Sequence, residues 1–325
     1  MKLQTQIPLR EAEHQIDHYC RTVLLGSCFA EHIGSELSYY KFQNVQNPFG
    51  ILFHPLAIEN LVQRAMEQRA YTEEEVFFLN ERWHCFDAHS VLSDVSKEQV
   101  LAKLNEGLAI TRESLKNATH VCITLGTAWV YRHLPSNAIV ANCHKVGQST
   151  FGKELLDIGR IVASLHNIWS MIHSVNPKTQ IICTVSPVRH LKDGVVENQL
   201  SKSHLISAVH EVMKSRSFME GSEAVYFPSY EIMMDELRDY RFYAKDMIHP
   251  NEVAIAYIWE KFCSVWISGE ARHLMTEIEG IQKGLQHRPF NPASGQHQQF
   301  LKSLSAKIAY IVKQYPSIQF NVPEL

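Results

Sequence analysis

Four short runs of uninterrupted aliphatic and β-branched residues, each closed by glycine or proline, constrain this chain more than any other feature. Thr22-Val23-Leu24-Leu25 stops at Gly26, and His120-Val121-Cys122-Ile123-Thr124-Leu125 at Gly126. Gln180-Ile181-Ile182-Cys183-Thr184-Val185 stops before Pro187, and Ala224-Val225-Tyr226-Phe227 at Pro228. A strand apolar along its whole length must be covered on both faces, which is the habit of parallel sheets. Helical periodicity occupies 56–69, 97–117, 153–174, 199–215 and 252–267. Strands alternating with helices imply right-handed crossovers and a doubly wound parallel sheet in a three-layer α/β/α fold. Residues 76–92 and Trp129–Val146 interrupt this rhythm and read as β-hairpin insertions at one end of the sheet. After residue 268 the pattern is purely helical, broken at Arg288-Pro289-Phe290-Asn291-Pro292. The expected organisation is therefore an α/β domain over 1–268 and a helical appendage over 269–325, which would cover the cleft or make a dimer contact.

Composition excludes several classes of function. With 325 residues and 45% hydrophobic content the chain can build a core unaided. Its 31 basic against 34 acidic residues give a net charge of -3, with no run of one sign to attract nucleic acid or acidic lipid. No stretch of about 18 apolar residues offers a membrane span, and Met1-Lys2-Leu3-Gln4-Thr5-Gln6 lacks the apolar core of a secretory signal, so a cytoplasmic location is expected. Seven scattered cysteines without a CxxC argue against a disulfide framework or structural zinc. The 18 histidines include His84 and His89 near Asp87, and His144 and His190 in loops. None has the spacing of a metal motif, so neither metal nor cofactor is expected.

In doubly wound sheets, ligands bind beyond the carboxyl ends of the strands. Ser27, Gly126-Thr127, Ser186-Pro187-Val188-Arg189-His190 and Asp246-Met247-Ile248-His249-Pro250 all fall there. A serine hydroxyl needs a base to take its proton, and a histidine base needs a carboxylate to fix its tautomer. Ser27, His249 and Asp246 supply the three roles, and Ser27 at the start of a helix turns its amide toward a developing oxyanion. Cys28 is a rival nucleophile, but its neighbouring position turns its thiol away from Ser27 into buried packing. Arg189, His190 and Lys192 either line the cleft or are solvated loop charges. The run Arg238–Tyr243 leads to Asp246 and reads equally as a substrate platform or as loop packing.

At Gly26-Ser27-Cys28-Phe29-Ala30 and at Asp246–Pro250 the chain resembles the GSCFA family, a branch of the SGNH/GDSL serine hydrolases. Asn47-Pro48-Phe49-Gly50, Ile123-Thr124-Leu125-Gly126-Thr127-Ala128-Trp129 and Ser186–His190 look like family stretches too, and the resemblance spans about residues 20 to 260. It implies ester hydrolysis through an acyl-enzyme, with Ser27 as nucleophile, His249 as general base and Asp246 as its orienting acid. Gly50 would join the Ser27 amide as a second oxyanion donor. The pattern departs at Thr127, which stands where the superfamily carries an oxyanion asparagine, and at Cys28, which replaces the aspartate of GDS. A missing oxyanion donor can cost about 3 kcal/mol of transition-state stabilisation. Asn47, Trp129, Arg189 and His190 are read as substrate-binding residues. The expected substrate is a small-molecule or carbohydrate ester such as an O-acetyl sugar; an acyltransferase and a non-catalytic carbohydrate-binding relative are the alternatives.

Overall fold

The computed structural model describes residues 4–214 and 224–321. Along the chain run β1 (Arg21–Gly26), α1 (Cys28–Tyr39), β2 (Gln43–Gln46), α2 (Pro55–Glu67), β3 (Phe77–Leu79), β4 (Arg82–His84) and α3 (Lys97–Asn117). They are followed by β5 (His120–Leu125), β6 (Trp129–His133), β7 (Ala138–Val140), β8 (Phe151–Leu155), α4 (Ile158–Val175), β9 (Gln180–Val185) and α5 (Val195–Lys214). The last elements are β10 (Ala224–Phe227), the single turn α6 (Ser229–Glu231), α7 (Glu252–Trp266), α8 (Gly269–Gln286) and α9 (Gly295–Gln314).

Five strands form one parallel sheet in the order β10-β9-β5-β1-β2. Alternate residues of each strand feed opposite layers, as the two-residue period of a strand requires. Val23, Leu25, Val121, Ile123, Ile181 and Cys183 pack with α2, α3, α4 and α5 in one buried cluster. Leu24, Cys122, Ile182 and Phe227 pack with α1 and α7 in the other. The fold is thus α/β with helices on both faces of the sheet. The strand order reverses at β1, between β2 and β5, which opens a crevice at their carboxyl ends.

The structure departs from the sequence expectation at three places. β2 was not anticipated, because Gln43-Asn44-Val45-Gln46 is an edge strand with little apolar character. The helix expected from 153 starts at Ile158, where Asp157 caps it by accepting from the Arg160 amide at 2.8 Å. Residues 151–155 instead form β8, which flanks β6 opposite β7, so the second insertion is a three-stranded antiparallel sheet rather than a lone hairpin. The first insertion is the hairpin β3–β4. Position 215 of the helix expected over 199–215, and positions 322–325 of the appendage, lie outside the described residues.

α8 and α9 pair through Leu274, Ile278, Ile281, Leu304 and Ile311. Gln282 Nε2 donates to Tyr39 O at 3.1 Å, fastening α8 to the end of α1 farthest from Ser27. Among the described residues of the appendage none borders the cleft at the carboxyl edge. Among the described residues no helix is long and apolar enough to cross a membrane.

Candidate active site

The turn after β1 is built around Gly26. Its φ of 129° lies in a region that side chains avoid, and a methyl group there would sit 2.0 Å from Thr124 O. The Gly26 amide donates to Asn47 Oδ1 at 2.9 Å, and Asn47 Nδ2 donates to Glu31 Oε1 at 3.3 Å. Asn47, expected to bind substrate, instead has both ends of its amide committed to holding this turn. Ser27 is fully buried and caps α1, its Oγ accepting from the Phe29 amide at a long 3.4 Å.

Each group expected to stabilise an oxyanion already has a partner. The β1–β5 ladder extends one residue, so the Ser27 amide donates to Thr124 O at 3.0 Å. Gly50, at φ 68°, donates to Asn47 O at 2.7 Å. The Thr127 amide donates to Phe53 O at 3.0 Å, and its hydroxyl accepts from the Trp129 amide and shares a 3.0 Å hydrogen bond with Ser201 Oγ.

Asp246 and His249 occupy a tight loop before α7. Asp246 Oδ1 accepts from the amides of Ile248 at 2.9 Å and His249 at 3.1 Å, and Met247 takes a left-handed conformation with φ 58°. The remaining oxygen, Oδ2, lies 2.7 Å from His249 Nδ1. The hydrogen bonds from His249 and the two amides hold the Asp246 carboxyl down to about 2. A carboxylate that accepts at Nδ1 places the proton there, leaving His249 Nε2 as a free lone pair.

A cavity of about 880 Å³ opens at the carboxyl edge, bordered by Cys28, Phe53, Thr127, Trp129, His190 and His249 among others. Trp129, Tyr131 and Phe151 of the small antiparallel sheet make one wall, with Lys153 Nζ 4.6 Å from the centre of the Trp129 ring. Cys28 is only partly buried and borders this space, where buried packing was expected. Burial and the nearby Glu31 push its thiol up, so it stays protonated and a poor nucleophile.

Arg189 also borders the cavity, and it ties two site loops together. Its amide donates to Ile248 O at 3.1 Å, and its guanidinium lies 4.1 Å from the centre of the Tyr243 ring and 5.2 Å from that of Tyr240. These tyrosines do not line the cavity. The aromatic run before Asp246 therefore serves as packing for Arg189 and holds the Asp246–His249 loop against the loop after β9. His190 lies beside it, with its amide on Asn198 Oδ1 at 2.8 Å and its ring edge-on to Phe53 at 5.3 Å. Burial, Lys202 and His249 together push the imidazole down to about 3.

The first half of α5 supports all of this, and sequence reasoning missed it. Asn198 holds the His190 amide, and Ser201 Oγ accepts from the Ala128 amide at 2.7 Å. Lys202, fully buried, donates to Gly126 O at 2.6 Å and Ser186 O at 2.8 Å, joining the ends of β5 and β9. Burial pushes its ammonium down to about 7. The available signal was positional: Asn198, Ser201 and Lys202 share the helical face that continues as Leu205, Val209 and Val212. The histidines of the insertions have structural partners: His84 lies 2.7 Å from Ser93 Oγ, and His144 Nε2 lies 2.7 Å from Cys85 O. Among the described residues no group of three or more histidines, cysteines and carboxylates could hold a metal ion.

Two family models match the chain. The GSCFA family covers residues 21–262, and the C-terminal domain of GSCFA domain proteins covers 278–322. No curated protein matches by sequence. Among solved structures, a carbohydrate esterase family 3 protein from Talaromyces cellulolyticus is similar at 8% identity over 80% of this chain and 99% of that one, with a TM-score of 0.39. An acetyl esterase mutant with acetate ion is similar at 10% identity over 81% and 99%, with a TM-score of 0.33. With its first 21–262 region matched throughout, the chain belongs to the GSCFA family.

Proposed function

We propose that the protein is an ester hydrolase of the SGNH/GDSL type working through Ser27, His249 and Asp246. The observation that carries this reading is the 2.7 Å contact between His249 Nδ1 and Asp246 Oδ2. It leaves Nε2 free to accept a proton, on a cavity that Cys28, the residue after Ser27, also borders. In the resting state Ser27 is buried, is not among the residues that border the cavity, and its Oγ caps α1 through a 3.4 Å bond, so attack on a bound ester requires its side chain to leave that cap and turn toward His249. Ser27 Oγ then bonds to the ester carbonyl carbon while His249 Nε2 takes the hydroxyl proton. Collapse of the tetrahedral intermediate expels the alcohol, protonated by His249. Water, deprotonated by the same histidine, releases the acid and restores Ser27.

The Trp129 and Tyr131 rings, with Lys153 beside both, offer a face for a sugar, which favours a carbohydrate ester such as an O-acetyl sugar as substrate. A second reading, acyl transfer, draws on the size of the cavity, which has room for an acceptor alcohol beside an acyl group. The seven free thiols suit a reducing compartment, and the cytoplasm is the location we propose. Hydrolysis of p-nitrophenyl acetate by the wild type and by Ser27→Ala tests the reaction class. Loss of turnover in the variant is expected, and equal rates would refute the hydrolase and the transferase alike for this substrate. Added alcohols that accept the acetyl group faster than water would select the transferase.

A further inference from the structure

The amides expected as oxyanion donors are engaged, yet among the described residues two buried ring nitrogens of cavity-bordering histidines, His144 Nδ1 and His190 Nε2, have no partner, and the second lies against the turn at Ser27. His190 Nε2 is buried without a hydrogen bond. It points to the floor of the nucleophile turn: a methyl group on Gly126 would lie 3.2 Å from His190 Nε2 and 3.3 Å from Ser27 Cβ. Gly126, by lacking a side chain, admits the imidazole to this position. Buried polar atoms are nearly always paired, and an orphan at a cleft calls for a ligand atom that completes it. We propose that His190, through Nε2–H, donates to the developing oxyanion a hydrogen bond that the engaged amides of Ser27, Gly50 and Thr127 do not supply. The inference rests on the reading that Ser27 attacks an ester.

The ring is fixed for the task. Its backbone is held by Asn198, its edge by Phe53, and the preceding residue is pinned to the Asp246–His249 loop. No carboxylate partners the imidazole among the described residues, while the buried Lys202 and His249 both disfavour a positive charge on it. A ring so placed remains neutral: it is a poor base but an intact N–H donor, and the base role falls to His249 with its carboxylate. During the reaction the carbonyl oxygen gains negative charge and accepts the Nε2–H bond. No proton crosses to it, and the carbonyl re-forms when the leaving group departs. The imidazole thereby fills the role of the asparagine amide that Thr127 replaces.

The experiment compares p-nitrophenyl acetate kinetics and melting temperatures of the wild type, His190→Ala, His190→Gln and Ser27→Ala. His190→Ala is expected to lower kcat by about 10²–10³-fold with KM nearly unchanged. His190→Gln, whose amide can donate, should recover most of that loss and keep the shape of the wild-type pH–rate profile. If His190→Ala turns over like the wild type while Ser27→Ala is inactive, the His190 role is wrong and the hydrolase reading stands. Equal loss in both His190 variants at unchanged melting temperature would overturn donation, and disappearance of the acid limb in His190→Gln would mark His190 as the base instead. Wild-type rates in Ser27→Ala would remove the hydrolase reading and this role together.

Discussion

Replacing Lys202 by methionine probes a buried lysine beneath the site, and its effect has a pH dependence that can be worked out beforehand. The change removes the donors to Gly126 O and Ser186 O, and each buried carbonyl left unpaired costs about 1–3 kcal/mol. Relief from burying a cation offsets part of this, so a net loss of about 2 kcal/mol at pH 7 is expected. In the folded protein the ammonium is pushed down to about 7, against about 10.4 in an unfolded chain. Between these values the unfolded state holds a proton that the native state has released, so wild-type stability rises with pH. The full penalty is present below pH 7. From pH 7 to 9 the wild type gains about 2 kcal/mol from this group, which the methionine variant lacks. The assay is urea unfolding followed by tryptophan fluorescence at pH 7 and 9. It is run in a Cys28→Ala background, because the Cys28 thiol feels the Lys202 charge; the other thiols cancel in the difference. A stability gap that widens by about 2 kcal/mol supports the argument. A gap constant from pH 7 to 9 would show that Lys202 stays charged when buried, and would refute it.

Two further variants separate roles within the cavity. Asp246→Asn should lower kcat by about 10²–10⁴-fold by releasing the tautomer and orientation of His249; because the wild-type carboxyl is held down to about 2, pH–rate profiles between pH 4 and 9 should show no limb from Asp246 itself. Arg189→Ala should reduce kcat about tenfold through a looser Asp246–His249 loop and change KM less than threefold, whereas a dominant contact with substrate would show chiefly in KM.

The sheet was legible because its central strands are buried on both faces and therefore apolar at every position, as in His120–Leu125 and Gln180–Val185. β2 escaped notice because an edge strand meets no such demand. β8 was absorbed into the following helix because Lys153, Glu154 and Leu155 are all good helix formers, and only pairing with β6 makes them extended. The turn at Gly26–Ala30 and the Asp246–His249 loop are local motifs, so a sequence reading can single them out as candidates. What surrounds them is set by contacts distant along the chain. Asn47 holds Gly26 across 21 residues, and Lys202 reaches Gly126 across 76. No local pattern reveals that Asn47 is spent on the turn, that Cys28 borders the cavity, or that the amides of Ser27, Gly50 and Thr127 are already paired. Thr127 stands where the resemblance expects an oxyanion asparagine; His190, read from sequence as a substrate contact, is the residue we propose for that role.

The central claim is that Ser27 becomes acylated, and labelling with a fluorophosphonate followed by peptide mapping tests it most directly. The account predicts a single adduct on Ser27 in the wild type, lost in Ser27→Ala and retained in Cys28→Ala. An adduct on Cys28, or none on the folded wild-type protein, would contradict it.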